Sequence, residues 1–245
     1  MKNLLVTGGA NGLGEAVAVA AAAEGYRVGV LDRSMADAEK VAKKLANAVA
    51  LEADVCDAQA VKQALGEFGQ VDVLVNNAGI LRTGPLIDHS VEDFRLVMDV
   101  NLNAVFIVAQ AVARRMRDSG GGAIVNLSSI NGIHPSPACG AYAAAKAGVI
   151  GLTQHMSLEW GEYGIRVNAV APGFIDAGMS APFLAEPDVR ERRSSAVPIG
   201  RLGTAEDVAQ TILYLGSDAA SYVSGQTIAI DGGVINSVLQ HLPRD

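Results

Sequence analysis

Residues 3–14 read Asn-Leu-Leu-Val-Thr-Gly-Gly-Ala-Asn-Gly-Leu-Gly, and this order decides the fold. Asn3 to Thr7 is a short apolar run that stops at a glycine, the pattern of a strand buried on both faces. Gly8, Gly12 and Gly14, with Asn11 and Leu13 among them, then make a turn whose backbone can approach a ligand closely. An alanine-rich helical run, Glu15 to Glu24, follows and stops at Gly25. Strand, glycine turn and helix together make a phosphate cradle, because a helix N-terminus offers unpaired N–H groups and the positive end of its dipole. The spacing is G-x-x-x-G-x-G, not the commoner dinucleotide fingerprint G-x-G-x-x-G.

Outward from that stretch the chain alternates. Val28 to Leu31 reads as a second strand. A helix over about Met35–Leu45, a strand over Ala48–Glu52, a helix over Ala58–Phe68 and a strand over Val71–Val75 come next. Further strands are expected at Ala123–Leu127, Gly164–Val170 and Thr227–Ile230. The alternation, with short connections, predicts an α/β fold with a doubly wound, mainly seven-stranded parallel sheet. One domain over residues 1–245 accommodates it.

Ligands of such sheets bind beyond the carboxyl ends of the strands. Gly8, Asp32, Asp54 with Val55, and Asn76 with Ala78 and Gly79 all fall at such ends. Asp32 follows the glycine turn by about 20 residues, where a carboxylate accepts from an adenosine ribose hydroxyl and repels a 2′-phosphate. That points to NAD over NADP. Arg33 pulls the other way, since a guanidinium can pair with that phosphate. Asp32 could instead serve the next helix as an N-terminal acid, although Ser34 can cap that helix. Asp54 is in a position to meet the adenine edge.

Residues 128–146 read Ser-Ser-Ile-Asn-Gly-Ile-His-Pro-Ser-Pro-Ala-Cys-Gly-Ala-Tyr-Ala-Ala-Ala-Lys. Tyr142 and Lys146 share one face of an expected helix, one turn apart. An ammonium near a phenol favours the phenolate. A free phenol titrates at about 10, so reaching neutrality takes roughly three units, or about 4 kcal/mol. A cationic cofactor ring would supply part of that. Ser129, at the end of an apolar strand, can donate a hydrogen bond to the same substrate oxygen. The set suits moving a proton on or off an alcohol oxygen. His134 is a possible second acid/base, but a loop histidine reads first as solvated, and Cys139 reads as a small pocket-lining side chain.

Composition excludes other classes. With half of the residues hydrophobic and 18% charged, disorder is not expected. A net charge of −7 disfavours nucleic acid or an anionic membrane surface as partner. Two cysteines, Cys56 and Cys139, make neither a disulfide framework nor a metal cluster by themselves, which fits a reducing compartment, the cytoplasm. Met1-Lys2 leads straight into a strand, leaving no signal-peptide core, and no uninterrupted apolar stretch reaches transmembrane length.

Val91 to Arg117 reads as one long helix containing Asn101. Ala104–Ala109 and Ala141–Leu152 are apolar around the whole circumference, which predicts helices buried between subunits of a symmetric homodimer or homotetramer. Asp176 to Gly203 has no clear period and is expected to be an irregular lid at about 176–203, with Phe174, Met179, Phe183 and Leu184 roofing a pocket. Thr204 is expected to cap a helix over Ala205–Leu215, and the last twelve residues read as a tail.

Taken together, the Thr7–Gly14 turn, Asn76-Asn77-Ala78-Gly79, Asn101, Ser129 with Tyr142 and Lys146, and Pro172-Gly173 give the chain a resemblance to the short-chain dehydrogenase/reductase family along nearly its whole length. The resemblance implies a Rossmann-like fold, a nicotinamide cofactor and frequent tetramers. It implies that Tyr142 gives and takes the proton, that Lys146 holds the nicotinamide ribose and lowers the tyrosine pKa, and that Ser129 orients the substrate oxygen. Asn101 would hold a water in a proton relay. Asn76, Pro172, Gly173 and Ile175 would line the cofactor. Where many relatives have a threonine after Pro-Gly, this chain has Ala177, and Ser180 is the candidate to compensate. The function implied is an NAD-dependent interconversion of a small secondary alcohol and a ketone. The alternatives are an NADP-linked 3-oxoacyl-carrier reductase, for which Arg114, Arg115 and Arg117 offer a basic docking patch, and a non-catalytic cofactor sensor on the same fold.

Overall fold

The computed structural model describes residues 1–237, so the tail from position 238 onward lies outside the described residues. Seven parallel strands run β1 (Asn3–Thr7), β2 (Arg27–Asp32), β3 (Ala48–Glu52), β4 (Val73–Asn76), β5 (Gly122–Leu127), β6 (Ile165–Pro172) and β7 (Thr227–Ile230). Their order across the sheet is β3-β2-β1-β4-β5-β6-β7. The winding therefore reverses between β1 and β4, and the crevice beyond their carboxyl ends is where such sheets take ligands.

The helices are α1 (Gly12–Ala23), α2 (Met35–Ala42), α3 (Ala58–Phe68), α4 (Val91–Met98), α5 (Ala104–Ser119), α6 (Tyr142–Trp160), α7 (Ala181–Leu184), α8 (Pro187–Ser195) and α9 (Ala205–Gly216). Side chains alternate across β1. Leu4 and Val6 join a core under α1 and α9, and Leu5 joins the opposite core under α3 and α5. α1 starts hard against the sheet: a Cβ on Gly14 would stand 2.1 Å from the Gly8 carbonyl oxygen, so only glycine fits.

The switch point is riveted. Thr7 Oγ1 accepts from the N–H of Asn77 and of Ala78 (both 3.0 Å), while Asn77 Nδ2 donates to the carbonyls of Thr7 (2.9 Å) and Gly8 (3.0 Å). Four hydrogen bonds thus hold the two sides of the crevice in register.

Two expectations are refined. The helix expected over Val91–Arg117 is present as one run, Val91–Ser119, with a π-helical turn, Asp99–Asn103, between α4 and α5. Within that turn the Asn101 amide pairs with the backbone of Ile80. The combined segment Val91–Ser119 does reach membrane-spanning length and hydropathy, but Val105, Val108 and Val112 are buried against the sheet. The lid is not irregular: it holds a 3-10 turn (Gly178–Ser180), α7 and α8. α8 is polar nearly throughout, so it shows no apolar period to read. Thr204 caps α9 as expected, in a reciprocal box with Asp207.

Thr7→Val keeps the shape of the rivet but leaves two N–H groups without their acceptor. We expect a loss of about 2 kcal/mol in urea-monitored stability; a midpoint unchanged from the parent would show that the rivet carries no stability.

Candidate active site

The first hydrogen bond within α1 runs from Glu15 N–H to the Asn11 carbonyl (3.1 Å), so the N–H groups of Gly12, Leu13 and Gly14 have no partner inside the helix. Asn11 supplies no side-chain cap. The lid passes directly over this turn, since a Cβ on Gly12 would stand 2.8 Å from the Cα of Gly178. A narrow cradle of unpaired N–H groups at a helix N-terminus fits a pyrophosphate.

Asp32 closes the other end. Its carboxylate accepts from the N–H of Ala10 (3.2 Å) and of Ser34 (3.2 Å). Ser34, not Asp32, caps α2 through Asp37 N–H. Asp32 therefore braces the glycine turn and keeps lone pairs for a ribose hydroxyl. Arg33 is exposed beside it. Asp54 is exposed and accepts from Cys56 N–H (2.9 Å), with Val55 buried next to it. Burial beside Asp54 pushes the Cys56 thiol up to about 11, which makes it a poor nucleophile.

Asn76, the last residue of β4, is buried, and its Nδ2 donates to Asn126 Oδ1 (2.9 Å), whose own Nδ2 donates to Thr153 Oγ1 on α6 (2.9 Å). Its amide nitrogen thus ties β4 to β5 and α6. Ala78 and Gly79 remain half-buried at the crevice. Beyond β6, Gly173 N–H donates to the Ile230 carbonyl (2.9 Å), and buried Ile175 bridges to Gly203. Ala177 packs against the core cluster that includes α1, and Ser180 N–H reaches back to its carbonyl (3.2 Å).

Ser129, Tyr142 and Lys146 come together. Tyr142 is the first residue of α6 and Lys146 lies one turn further on. Burial in an apolar surrounding pushes the Tyr142 phenol up to about 12; the neighbouring Ser129 hydroxyl pulls partly back, and the nearby Cys139 thiol adds to the rise. Lys146 Nζ lies 5.6 Å from the tyrosine ring centroid. Burial also brings Lys146 itself down to about 8. Its Nζ donates to the Leu127 carbonyl (2.7 Å), and Ser128 Oγ donates to the Lys146 carbonyl (2.8 Å). Ser128 is thus committed to the helix backbone, and Ser129 is the serine that meets the phenol.

Asn101 lies in the π turn that packs on α6, the helix of Tyr142 and Lys146. Its Oδ1 accepts from Ile80 N–H (2.8 Å) and its Nδ2 donates to the Ile80 carbonyl (2.8 Å), so its side chain fixes the chain at Ile80. His134 is exposed. Of the three arginines on α5, Arg114 and Arg117 are exposed, Arg117 pairing with Asp118 (3.0 Å), while Arg115 donates to the carbonyls of Leu65 and Gly69. Sequence reasoning missed Thr7, Asn126 and Thr153. The signal for Asn126 was available, as one amide inside an otherwise apolar strand.

A family model described as Enoyl-(Acyl carrier protein) reductase matches residues 8–235. The chain belongs to the short-chain dehydrogenase/reductase family. It is 42% identical over 241 residues to a 3-oxoacyl-[acyl-carrier-protein] reductase of Synechocystis sp., covering 94% of this chain and 96% of the relative. Levodione reductase superposes with a TM-score of 0.90 at 36% identity, covering 95% of this chain and 96% of that one. A 3-oxoacyl-[acyl-carrier protein] reductase from Brucella melitensis with bound NAD gives 0.88 at 36% identity, covering 95% and 90%. As a member of this family the chain is a nicotinamide-dependent oxidoreductase acting on CH–OH donors.

The buried lysine has a measurable signature. Its folded pKa lies below the unfolded value, so the unfolded chain binds more protons between the two and stability rises with pH through that window. Relative to Lys146→Met, the parent should gain on the order of 2 kcal/mol between about pH 8 and about pH 10, below the onset of tyrosine ionisation. Parallel stability profiles for the two proteins would contradict the burial argument.

Proposed function

We propose that this chain is an NAD(H)-linked reductase of 3-oxoacyl thioesters, running reversibly as a 3-hydroxyacyl dehydrogenase. The catalytic half of the reading rests on the convergence of Ser129, Tyr142 and Lys146 at the carboxyl ends of the sheet. The substrate half rests on the relative of nearly equal length at 42% identity, whose name is 3-oxoacyl-[acyl-carrier-protein] reductase. The sequence alone favours a general secondary alcohol and ranks the 3-oxoacyl substrate second. The relatives reverse that order, and a 3-hydroxyacyl group is itself a secondary alcohol. The resemblance to levodione reductase keeps simple ketones as the second reading.

Bound nicotinamide would supply the hydride and a positive ring. The chain's own groups do the rest. In reduction the Tyr142 hydroxyl donates its proton to the developing alkoxide, and the Ser129 hydroxyl fixes that oxygen by a hydrogen bond. Lys146 is held rigidly by Leu127 and would bind the nicotinamide ribose and favour the transient phenolate. Gly12, Leu13 and Gly14 would hold the pyrophosphate and Asp32 the adenosine ribose. Asp54, Val55, Ala78, Gly79, Pro172, Gly173 and Ile175 would line the remaining cofactor surface. Retention of the whole proton-handling set argues against a non-catalytic sensor.

The cofactor choice follows Asp32, whose fixed carboxylate repels a 2′-phosphate. The charge of −7 weakens the case for a docked acidic carrier protein, and the reading assigns recognition to the thioester itself. A homodimer or homotetramer in the cytoplasm completes the reading, supported by exposed Phe106 on α5 and Leu158 on α6.

Kinetics with NADH and NADPH on a 3-oxoacyl thioester test both halves. Tyr142→Phe should lower kcat by about a hundredfold or more while NADH still binds. Asp32→Ala should shift the NADH/NADPH ratio of kcat/KM by about tenfold, roughly 1.4 kcal/mol. Turnover of Y142F near the parental rate, or an unchanged ratio in D32A, would refute the corresponding assignment.

A further inference from the structure

The turn that delivers Tyr142 to the cleft is held from outside. Ala138 and Gly140 both have left-handed backbones, with φ of 60° and 54°. For alanine this is a conformation that persists only where the surroundings impose it. Those surroundings come from the connection after β4. Gly84 N–H donates to the Ala138 carbonyl (2.9 Å), and Gly84 forms a backbone bridge to Cys139. Tyr142 N–H donates to the Cys139 carbonyl (3.1 Å), so the turn leads directly into the first residue of α6.

One side chain sits on this turn. A Cβ on Gly140 would stand 2.5 Å from His89 Cε1 and 2.8 Å from His89 Nδ1, so the imidazole occupies the space above the glycine. The ring therefore bears on the turn through its shape and contact.

We propose that His89 is a positioning residue for Tyr142. Its ring, seated on Gly140, holds the 138–141 turn in its strained form and so fixes where α6 begins and where the phenol points. Without the ring, Ala138 can relax to an ordinary backbone, and the turn carries Tyr142 out of line with Ser129. The inference rests on the reading of Tyr142 as acid and base, and its test has one readout that does not depend on that reading.

The variants are His89→Ala, which removes the ring, and His89→Phe, which restores a flat ring without nitrogens. Hydrogen–deuterium exchange of the backbone over 134–145 should be faster in H89A and return toward the parent in H89F. With NADH and acetoacetyl-coenzyme A as probe, H89A should lose about tenfold in kcat with NADH affinity and melting temperature little changed, and H89F should recover to within about twofold. If H89A proves unable to bind NADH, His89→Asn, too short to cover Gly140, is measured in its place with the same expectation. Parental exchange and kcat in H89A, or an H89F as slow as H89A, would overturn the proposal. Faster exchange in H89A together with a Y142F that still turns over would instead uphold the positioning and defeat the role of Tyr142.

Discussion

A lysine ammonium buried beside a phenol is the constraint on which the rest of this structure depends. Lys146 is only 3% exposed, and its Nζ donates to the Leu127 carbonyl. Burying a cation is costly unless its surroundings are fixed. They are fixed here from two sides. Ser128 ties the carbonyl of Lys146 itself to the end of β5, and the Asn76–Asn126–Thr153 chain anchors the same helix two turns further on. Nineteen residues of α6, more than its expected Ala141–Leu152, provide the lever that these anchors hold.

The same arrangement explains why the phenol is not activated by the chain alone. Burial raises Tyr142 and lowers Lys146, so desolvation works against the charged form of each. A site of this kind is poised. Adding positive charge at the crevice would favour the phenolate strongly, because the surrounding dielectric is low. The glycine turn, Asp32 and the Thr7–Asn77 rivet bring such a ligand to the switch point, a short distance along the same sheet edge.

Strand positions were legible because strands of a parallel sheet read as short, almost purely apolar runs, even at the half-buried edges β3 and β7; Asn3–Thr7, Ala48–Glu52 and Thr227–Ile230 match residue for residue. The trio of Ser129, Tyr142 and Lys146 was legible from spacing, since two strand and helix ends fix all three. What the sequence hid depends on partners far along the chain. The π turn at Asn101 goes with a pairing to Ile80, and Arg115 and Arg117 turn to carbonyls on α3 and to an adjacent aspartate. The tyrosine pKa depends on desolvation, which no spacing reveals. The helices of the lid were hidden because α8 exposes nearly all of its surface and has no apolar stripe.

The most direct test is an ultraviolet titration of the Tyr142 phenol, taken as the difference between the parent and Tyr142→Phe, with and without saturating NAD. The account predicts ionisation near 12 in the free protein and a fall of several pH units when the oxidised cofactor binds. A phenol already ionising near neutrality in the free protein, or one that NAD leaves unmoved, would contradict it.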